Sequence, residues 1–106
     1  VVDLKAMESY LYEEREKNIV YNVEEFKVRI IKLPAGGKMP NCEMPSYVIF
    51  YVIKGSVDVT VNQEKVTIKE GQCLISEPAT LSMRSINGAR IMGIQITVRN
   101  GDRDGC

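Results

Sequence analysis

Histidine is absent from this 106-residue chain, and tryptophan is absent as well. Histidine is the usual protein ligand for zinc, nickel, copper and non-haem iron, and it is the side chain that most often exchanges protons near neutral pH. A chain without it has no histidine-ligated metal site, no Ser-His nucleophile and no histidine general base. The commonest metal-dependent and hydrolytic mechanisms are therefore excluded.

An excess of charge of either sign is also missing. Fourteen Lys and Arg residues balance fourteen Asp and Glu residues, so the formal net charge is zero. A neutral protein has no overall field that would hold a phosphate backbone or an anionic bilayer surface. We therefore expect neither nucleic acid nor a membrane among its partners.

Cysteine is scarce, and long apolar runs are absent. Cys42, Cys73 and Cys106 form no CxxC pair and no disulfide framework, a pattern typical of a reducing compartment. The sequence has no run of 18 apolar residues and no signal-peptide pattern. We expect a cytoplasmic protein in which Cys73, next to Leu74 and Ile75, is a small core hydrophobe.

The totals predict one globular domain. Hydrophobic residues make up 44% and charged residues 26% of the sequence, close to the averages for folded domains. A chain of this length buries a core without disulfides or a structural metal. We predict an N-terminal helix with a charged connection over residues 1–17, a single β-domain over residues 18–99, and a flexible tail without an apolar anchor over residues 100–106.

Residues Asp3 to Tyr12 have the pattern of a short amphipathic helix. Leu4, Met7 and Leu11 recur at helical spacing, and Asp3 precedes them as an N-cap. We expect this helix to cover an apolar surface of the domain that follows.

The rest of the chain has the two-residue period of β-strands. Phe26, Val28 and Ile30 alternate with Lys27 and Arg29, which predicts one buried face and one solvated face. Turns rich in Gly, Pro or Asn separate the segments, as in β-sandwiches and closed barrels. The predicted strands cover residues 18–23, 26–33, 47–53, 56–62, 65–68, 72–76, 80–86 and 89–98, with a turn at Lys54-Gly55.

The stretch from Leu33 to Gly55 resembles the first motif of the cupin superfamily, which reads Gly, five residues, His-x-His, three or four residues, Glu, six residues, Gly. Gly36 and Gly55 occupy the glycine positions, and Val48 occupies the glutamate position. The two histidine positions fall on Cys42 and Met44 or, with the four-residue spacing, on Asn41 and Glu43.

Residues Gly71 to Asn87 resemble the second cupin motif, which reads Gly, five residues, Pro-x-Gly, two residues, His, three residues, Asn. The usual register places Ser82 at the histidine, whereas a shift of one residue that matches Pro78 and Asn87 places Met83 there. The resemblance implies an all-β, cupin-like jelly-roll β-barrel that pairs as a homodimer. It also implies that the three-His, one-Glu metal site of cupins is missing, so we predict no metal and no other cofactor.

The mouth of such a barrel is where we expect function. If Val48 points inward, Phe50 does as well, and on the opposing strand Arg84 shares a face with Ser82. Arg84 is then either a clamp for a carboxylate or phosphate, with Glu43 as its alternative partner, or part of a surface-facing alternation. The predicted pocket residues are Cys42, Glu43, Met44, Tyr47, Val48, Phe50, Ser82 and Arg84.

Three functions are compatible with these residues. The reading that the sequence favours is a metal-free, cupin-like barrel that binds a small organic, anionic ligand or serves as a sensor or accessory subunit. An alternative is a metal-independent lyase or isomerase that uses Glu43, Tyr47 or Arg84 in acid–base roles. A third is an interaction protein whose filled barrel supports a dimer face. Strands 47–53 and 91–98 are apolar on both faces, which predicts a homodimer.

Overall fold

The structure, a computed structural model, describes residues 1–97. This part of the chain contains nine β-strands and no helix, so the all-β prediction is confirmed and no described helix is available to cross a membrane. The predicted tail at residues 100–106 and the end of the last predicted strand lie outside the described residues. The strands are β1 (Tyr10–Leu11), β2 (Ile19–Asn22), β3 (Phe26–Leu33), β4 (Lys38–Met44), β5 (Tyr47–Val61), β6 (Glu64–Lys69), β7 (Cys73–Ser76), β8 (Ala79–Arg84) and β9 (Ala89–Ile96).

The predicted N-terminal helix is wrong. Asp3 caps a single turn, in which its Oδ1 accepts hydrogen bonds from the amides two and three residues later, and the chain then enters β1, which pairs in parallel with β3. Arg90 of β9 holds this segment by donating hydrogen bonds to the Ser9 hydroxyl at 3.0 Å and to the Met7 carbonyl at 2.9 Å. An isolated helix of about ten residues is marginal, so the bonds to the sheet determine the conformation instead.

Strand β5 is the element around which the sheet is organised. It is 15 residues long, and its first part pairs with β7 and β9 while its last part pairs with β6 and β8. The order across the sheet is β1-β3-β9-β5-β8-β4, with β2 beside β3 and with β6 and β7 beside β5. The sheet curls into a half-barrel with two arms. The first arm contains β1, β2, β3, β7, β9 and the start of β5, and the second arm contains β4, β6, β8 and the end of β5.

The turn predicted at Lys54-Gly55 is instead a bend inside β5. The register between β5 and β9 shifts between Val52 and Lys54, and Gly55 has a φ of +85°. A Cβ on Gly55 would lie 2.3 Å from the carbonyl oxygen of Gly88, so only glycine fits where β5 passes the start of β9. A lysine followed by glycine therefore marks an irregularity in a continuous strand here.

Inward-facing side chains of both arms form the core. Along β5 the buried set changes from even-numbered to odd-numbered residues at the bend, because the register shift reverses the alternation. Val48 and Val52 before the bend and Val59 after it are each 0% exposed, as are Leu81 of β8 and Ile91 of β9. The concave side of the half-barrel is thus closed by hydrocarbon from β5, β8 and β9.

Candidate functional site

The two alternative registers of the cupin motifs place different residues at the metal-ligand positions, and some of these residues face the interior of the half-barrel. The inward-facing residues at these positions are Cys42, Met44, Val48 and Met83, which are between 0% and 5% exposed. Asn41 and Glu43 are exposed, and Ser82 is only half-buried. The register through Cys42, Met44 and Met83 is therefore the one whose side chains share the interior. Residues 1–97 contain no group of three or more His, Cys, Asp and Glu side chains that could hold a metal ion.

Ser82 and Arg84 do not face the interior, so of the two alternatives for Arg84 the structure has the surface-facing alternation. In β8 it is Leu81 and Met83 that face the interior, opposite inward-facing residues of β4, while Arg84 is exposed on the outer face. Burying Leu81 and Met83 removes more apolar surface from water than burying their neighbours. A lone guanidinium inside would also need a compensating charge. Hydrophobic burial therefore fixes the alternation of β8.

The residues considered for acid–base chemistry do not meet. Glu43 lies on the outer face of the second arm opposite Thr80, and Arg84 lies at the other end of β8 opposite Lys38. Tyr47 is on the outer face of the first arm, where it is 43% exposed. A general acid and a general base must both reach the same substrate by hydrogen bonds. The geometry gives these three residues no common substrate position.

Met44 and Phe50 are the two predicted pocket residues that line an interior space. This space has a volume of about 20 Å³, and Arg29, Met39 and Gln95 are among its other walls. The side-chain amide of Gln95 donates a hydrogen bond to the sulfur of Met44 at 3.0 Å. Such a volume holds about one water molecule, whereas a cavity that takes benzene is about 150 Å³. The interior around these residues is packed.

A buried polar cluster lies beside β3, and the alternation of apolar and charged residues in the sequence did not predict it. Lys27 and Arg29, predicted to face solvent, are 7% and 8% exposed and lie on the inner face of the sheet. The guanidinium of Arg29 donates hydrogen bonds to the side-chain oxygen of Asn18 and to the carbonyl of Arg15. Asn18, 1% exposed, donates in turn to two backbone carbonyls of the N-terminal segment. The segment before β2 therefore covers the face of β3 that the alternation in the sequence predicted to be solvated.

A groove of about 680 Å³ crosses the outer face of the second arm. Lys38 of β4, Arg84 of β8 and Asp58 of β5 lie side by side in one cross-strand row, and Ser82 faces Thr60 in the next row. Two of the predicted pocket residues, Ser82 and Arg84, therefore share a concave surface, but on the outside of the half-barrel.

Three cations and one carboxylate line this groove. The Thr67 hydroxyl donates a hydrogen bond to Asp58 at 2.7 Å, and the ammonium of Lys65 lies 3.6 Å from the same carboxylate. The hydrogen bond from Thr67, with smaller contributions from the charges of Lys65 and Arg84, holds the pKa of Asp58 below its ordinary 3.8, although partial burial opposes the shift. Within the described chain, Lys38 and Arg84 form no ion pair.

The outer face of the first arm is apolar across four strands. Val28, Ile94, Ile49 and Ile75 stand in one row from β3 through β9 and β5 to β7, and Ile75 is 70% exposed. One flanking row of this apolar face consists of Phe26, Ile96 and Tyr47. The other consists of Ile30, Met92, Tyr51 and Cys73, of which Ile30 is only 1% exposed. Contiguous exposed apolar surface of this kind marks a contact site more often than scattered single residues do.

Cys73 lies on this outer face, so the prediction that it belongs to the core is wrong. It is exposed, and it lies opposite Tyr51 on β5. Leu74 and Ser76 are the β7 residues that turn toward the interior. In a four-residue strand, the burial of Leu74 decides the alternation and leaves Cys73 and Ile75 outside.

Known proteins match this chain in fold and not in sequence. No family model and no curated protein matches the sequence. The conserved SPY1581 protein of unknown function from Streptococcus pyogenes has a TM-score of 0.77 at 13% identity, with 93% of this chain and 88% of that chain covered. The cupin domain of Schizosaccharomyces pombe Cnp3 has a TM-score of 0.69 at 21% identity, covering 74% of this chain and 61% of that one.

A cupin superfamily protein from Desulfitobacterium hafniense has a TM-score of 0.70 at 9% identity, covering 74% of this chain and 72% of that chain. Identities this low carry the fold and not the activity, because one fold hosts many functions. The curled all-β sheet, the motif positions and these neighbours agree: this chain has the cupin fold.

Proposed function

We propose that this protein is a homodimeric interaction protein, in which the half-barrel is a packed scaffold and the apolar face of the first arm joins two copies. The apolar face carries the proposal. Its central row of Val28, Ile94, Ile49 and Ile75 holds no charge over four strands. Leaving such a surface in water is costly, and burial against a second apolar surface removes the cost.

The charges at the two ends of the apolar face favour a second copy of this chain as the occupant. Lys32, Arg90 and Lys54 form one row beyond Met92 and Tyr51, so this end is cationic. At the opposite end the exposed pair Glu24-Glu25 directly precedes β3. A two-fold axis that lies in the plane of the interface and runs perpendicular to the strands places the cationic end of each copy against the acidic end of the other, so the surface is complementary to itself.

The small interior supports the scaffold role over a ligand chamber. The space of about 20 Å³ beside Met44 and Phe50 is too small for an organic anion. The separation of Glu43, Tyr47 and Arg84 likewise favours a non-enzymatic role. The absence of a metal cofactor and a cytoplasmic location stay predictions from the residue content.

The oligomeric state and two apolar-face variants test the proposal. We expect sedimentation at micromolar concentration to give twice the chain mass of 11.9 kDa for the native protein. Ile75→Glu and Ile94→Glu should each produce a folded monomer, because a carboxylate at the centre of the contact would be buried without a partner. Ile86→Glu is the matched control, since Ile86 is 67% exposed on the other arm and its substitution should leave the dimer intact.

Circular dichroism of each variant separates loss of the dimer from loss of the fold. A native protein that sediments as a monomer, or a dimer that tolerates both apolar-face substitutions, would contradict the proposal.

A further inference from the structure

The groove on the second arm presents a pair of like charges that the fold leaves facing each other. Lys38 and Arg84 are direct cross-strand partners, so their Cβ atoms are about 5 Å apart. Like charges in this position destabilise a sheet. Neither residue forms an ion pair with another described residue. An anion placed between them would remove the repulsion and gain two charged hydrogen bonds.

Asp58 does not supply that anion. It is the cross-strand partner of Arg84 on the side away from Lys38, and its carboxylate accepts the Thr67 hydroxyl at 2.7 Å and lies 3.6 Å from Lys65, so it offsets part of the charge of Arg84 but does not lie between Arg84 and Lys38. Among the residues that line the groove, Lys38, Lys65 and Arg84 outnumber Asp58 by two positive charges. This local excess occurs on a chain whose formal net charge is zero.

The groove also offers contacts for the rest of a small molecule. Its volume of about 680 Å³ lies within the range of ligand sites, about 300 to 1,000 Å³. The hydroxyls of Ser82 and Thr60 stand in the row beside the cations and are able to donate hydrogen bonds. Pro40 and Ile86, the latter 67% exposed, add apolar surface at the walls.

We propose that this groove binds a small organic oxyanion, with its carboxylate or phosphate group between Lys38 and Arg84 and its apolar body against Pro40 and Ile86. The site is distinct from the interior space of about 20 Å³ that Met44 and Phe50 line. It is also independent of the proposed dimer, because the apolar face lies on the other arm. Ligand and second copy therefore do not compete for the same surface.

Amide chemical shifts of the ¹⁵N-labelled native protein, titrated with phenyl phosphate, benzoate and inorganic phosphate, test the site. We expect saturable shifts centred on Lys38, Asp58 and Arg84 with phenyl phosphate or benzoate, and at least about tenfold weaker binding of inorganic phosphate, which lacks the apolar body. The organic anion that binds more tightly assigns the head group as phosphate or carboxylate.

Substitutions that remove one charge each provide the matched comparison. Arg84→Met should weaken binding about ten- to one-hundredfold, because one charged hydrogen bond to the anion is lost. Lys69→Met removes an equal charge from the same outer face but outside the groove, and it should leave binding within about twofold of native. Arg84 is exposed, so its substitution should not affect folding, which a thermal melt verifies.

Shifts that do not saturate, or equal losses for Arg84→Met and Lys69→Met, would show only diffuse attraction to positive charge and would overturn the site. The same titration on Ile75→Glu keeps the two proposals apart, since a monomer that still binds phenyl phosphate supports the groove whatever the fate of the dimer.

Discussion

Gly55 leaves no room for a side chain at the point where β5 bends. Its backbone has a φ of +85°, and an added Cβ would lie 2.3 Å from the carbonyl oxygen of Gly88. Gly71 has a similar φ of +83°, yet no atom lies within 4 Å of the position its Cβ would take. A comparison of alanine substitutions at Gly55 and Gly71 therefore distinguishes the free-energy cost of a left-handed backbone from the cost of a steric clash.

We predict that Gly55→Ala lowers the free energy of unfolding more than Gly71→Ala does. A left-handed conformation costs a non-glycine residue about 1–2 kcal/mol, which both variants incur. Overpacking against the Gly88 backbone should add about 1–3 kcal/mol for Gly55→Ala alone. Urea denaturation of the two variants measures the difference, and equal losses would mean that the backbone at the bend moves aside without cost.

Asp58 gives the molecule a predictable response to acid. Its pKa is lower in the folded chain than the ordinary 3.8, chiefly because the Thr67 hydroxyl donates a hydrogen bond to the carboxylate. The stabilisation is therefore present above pH 3.8 and is lost as the pH falls through the lower, folded-state pKa. We expect Thr67→Val to raise the pKa of Asp58 and to reduce stability at neutral pH more than at pH values below both pKa values.

Carboxyl NMR titration reports the pKa of Asp58 directly, and urea melts at neutral and strongly acidic pH report the stability. The Thr67→Ser variant keeps the hydroxyl and serves as the control. An unchanged pKa in Thr67→Val would assign the shift to Lys65 instead.

Strands were predictable from the sequence wherever local alternation agreed with tertiary burial. On β5 the expected inward residues Val48 and Phe50 are buried, because apolar residues fill both faces and the motif position fixes the phase. On β8 the motif register and the hydrophobic pattern disagreed by one residue, and burial of Leu81 and Met83 decided the outcome. A slip of one residue reverses every side chain of a strand, so the candidate site moved from the inside to the outside.

Segments whose structure depends on distant partners were not predictable. The conformation of residues 7–11 depends on Arg90, which is about eighty residues away in the chain and donates hydrogen bonds to this segment. Burial of Lys27 and Arg29 similarly depends on coverage by other parts of the fold, which no local pattern records. In both cases the sequence holds the partners, but it does not show that the fold brings them together.

The molecule as a whole should hold no stoichiometric transition metal. Sulfur and hydrocarbon replace imidazole and carboxylate at the inward motif positions, where Met44, Val48 and Met83 lie. Thioethers are soft ligands that favour Cu(I), yet the cationic Arg29 lines the same space as Met44 and disfavours a second cation there.

Elemental analysis after exposure to Zn, Ni, Fe and reduced Cu, followed by dialysis against a chelator, tests this prediction. We expect substoichiometric metal in every case and an unchanged melting temperature with and without chelator. About one tightly held ion per chain, or a melting temperature that chelation lowers, would show that the interior rearranges around a metal.

Strand β9 is the last of the nine described strands, yet it lies between β3 and β5 in the sheet. During synthesis, β3 and β5 leave the ribosome before the strand that both require as a neighbour. Until residues 89–96 emerge, neither the inner surface that Ile91 completes nor the backbone edges of these strands have their native partners. We therefore expect the first arm to stay incomplete, with the edges of β3 and β5 exposed to chaperones and proteases, until almost all of the described chain has been translated.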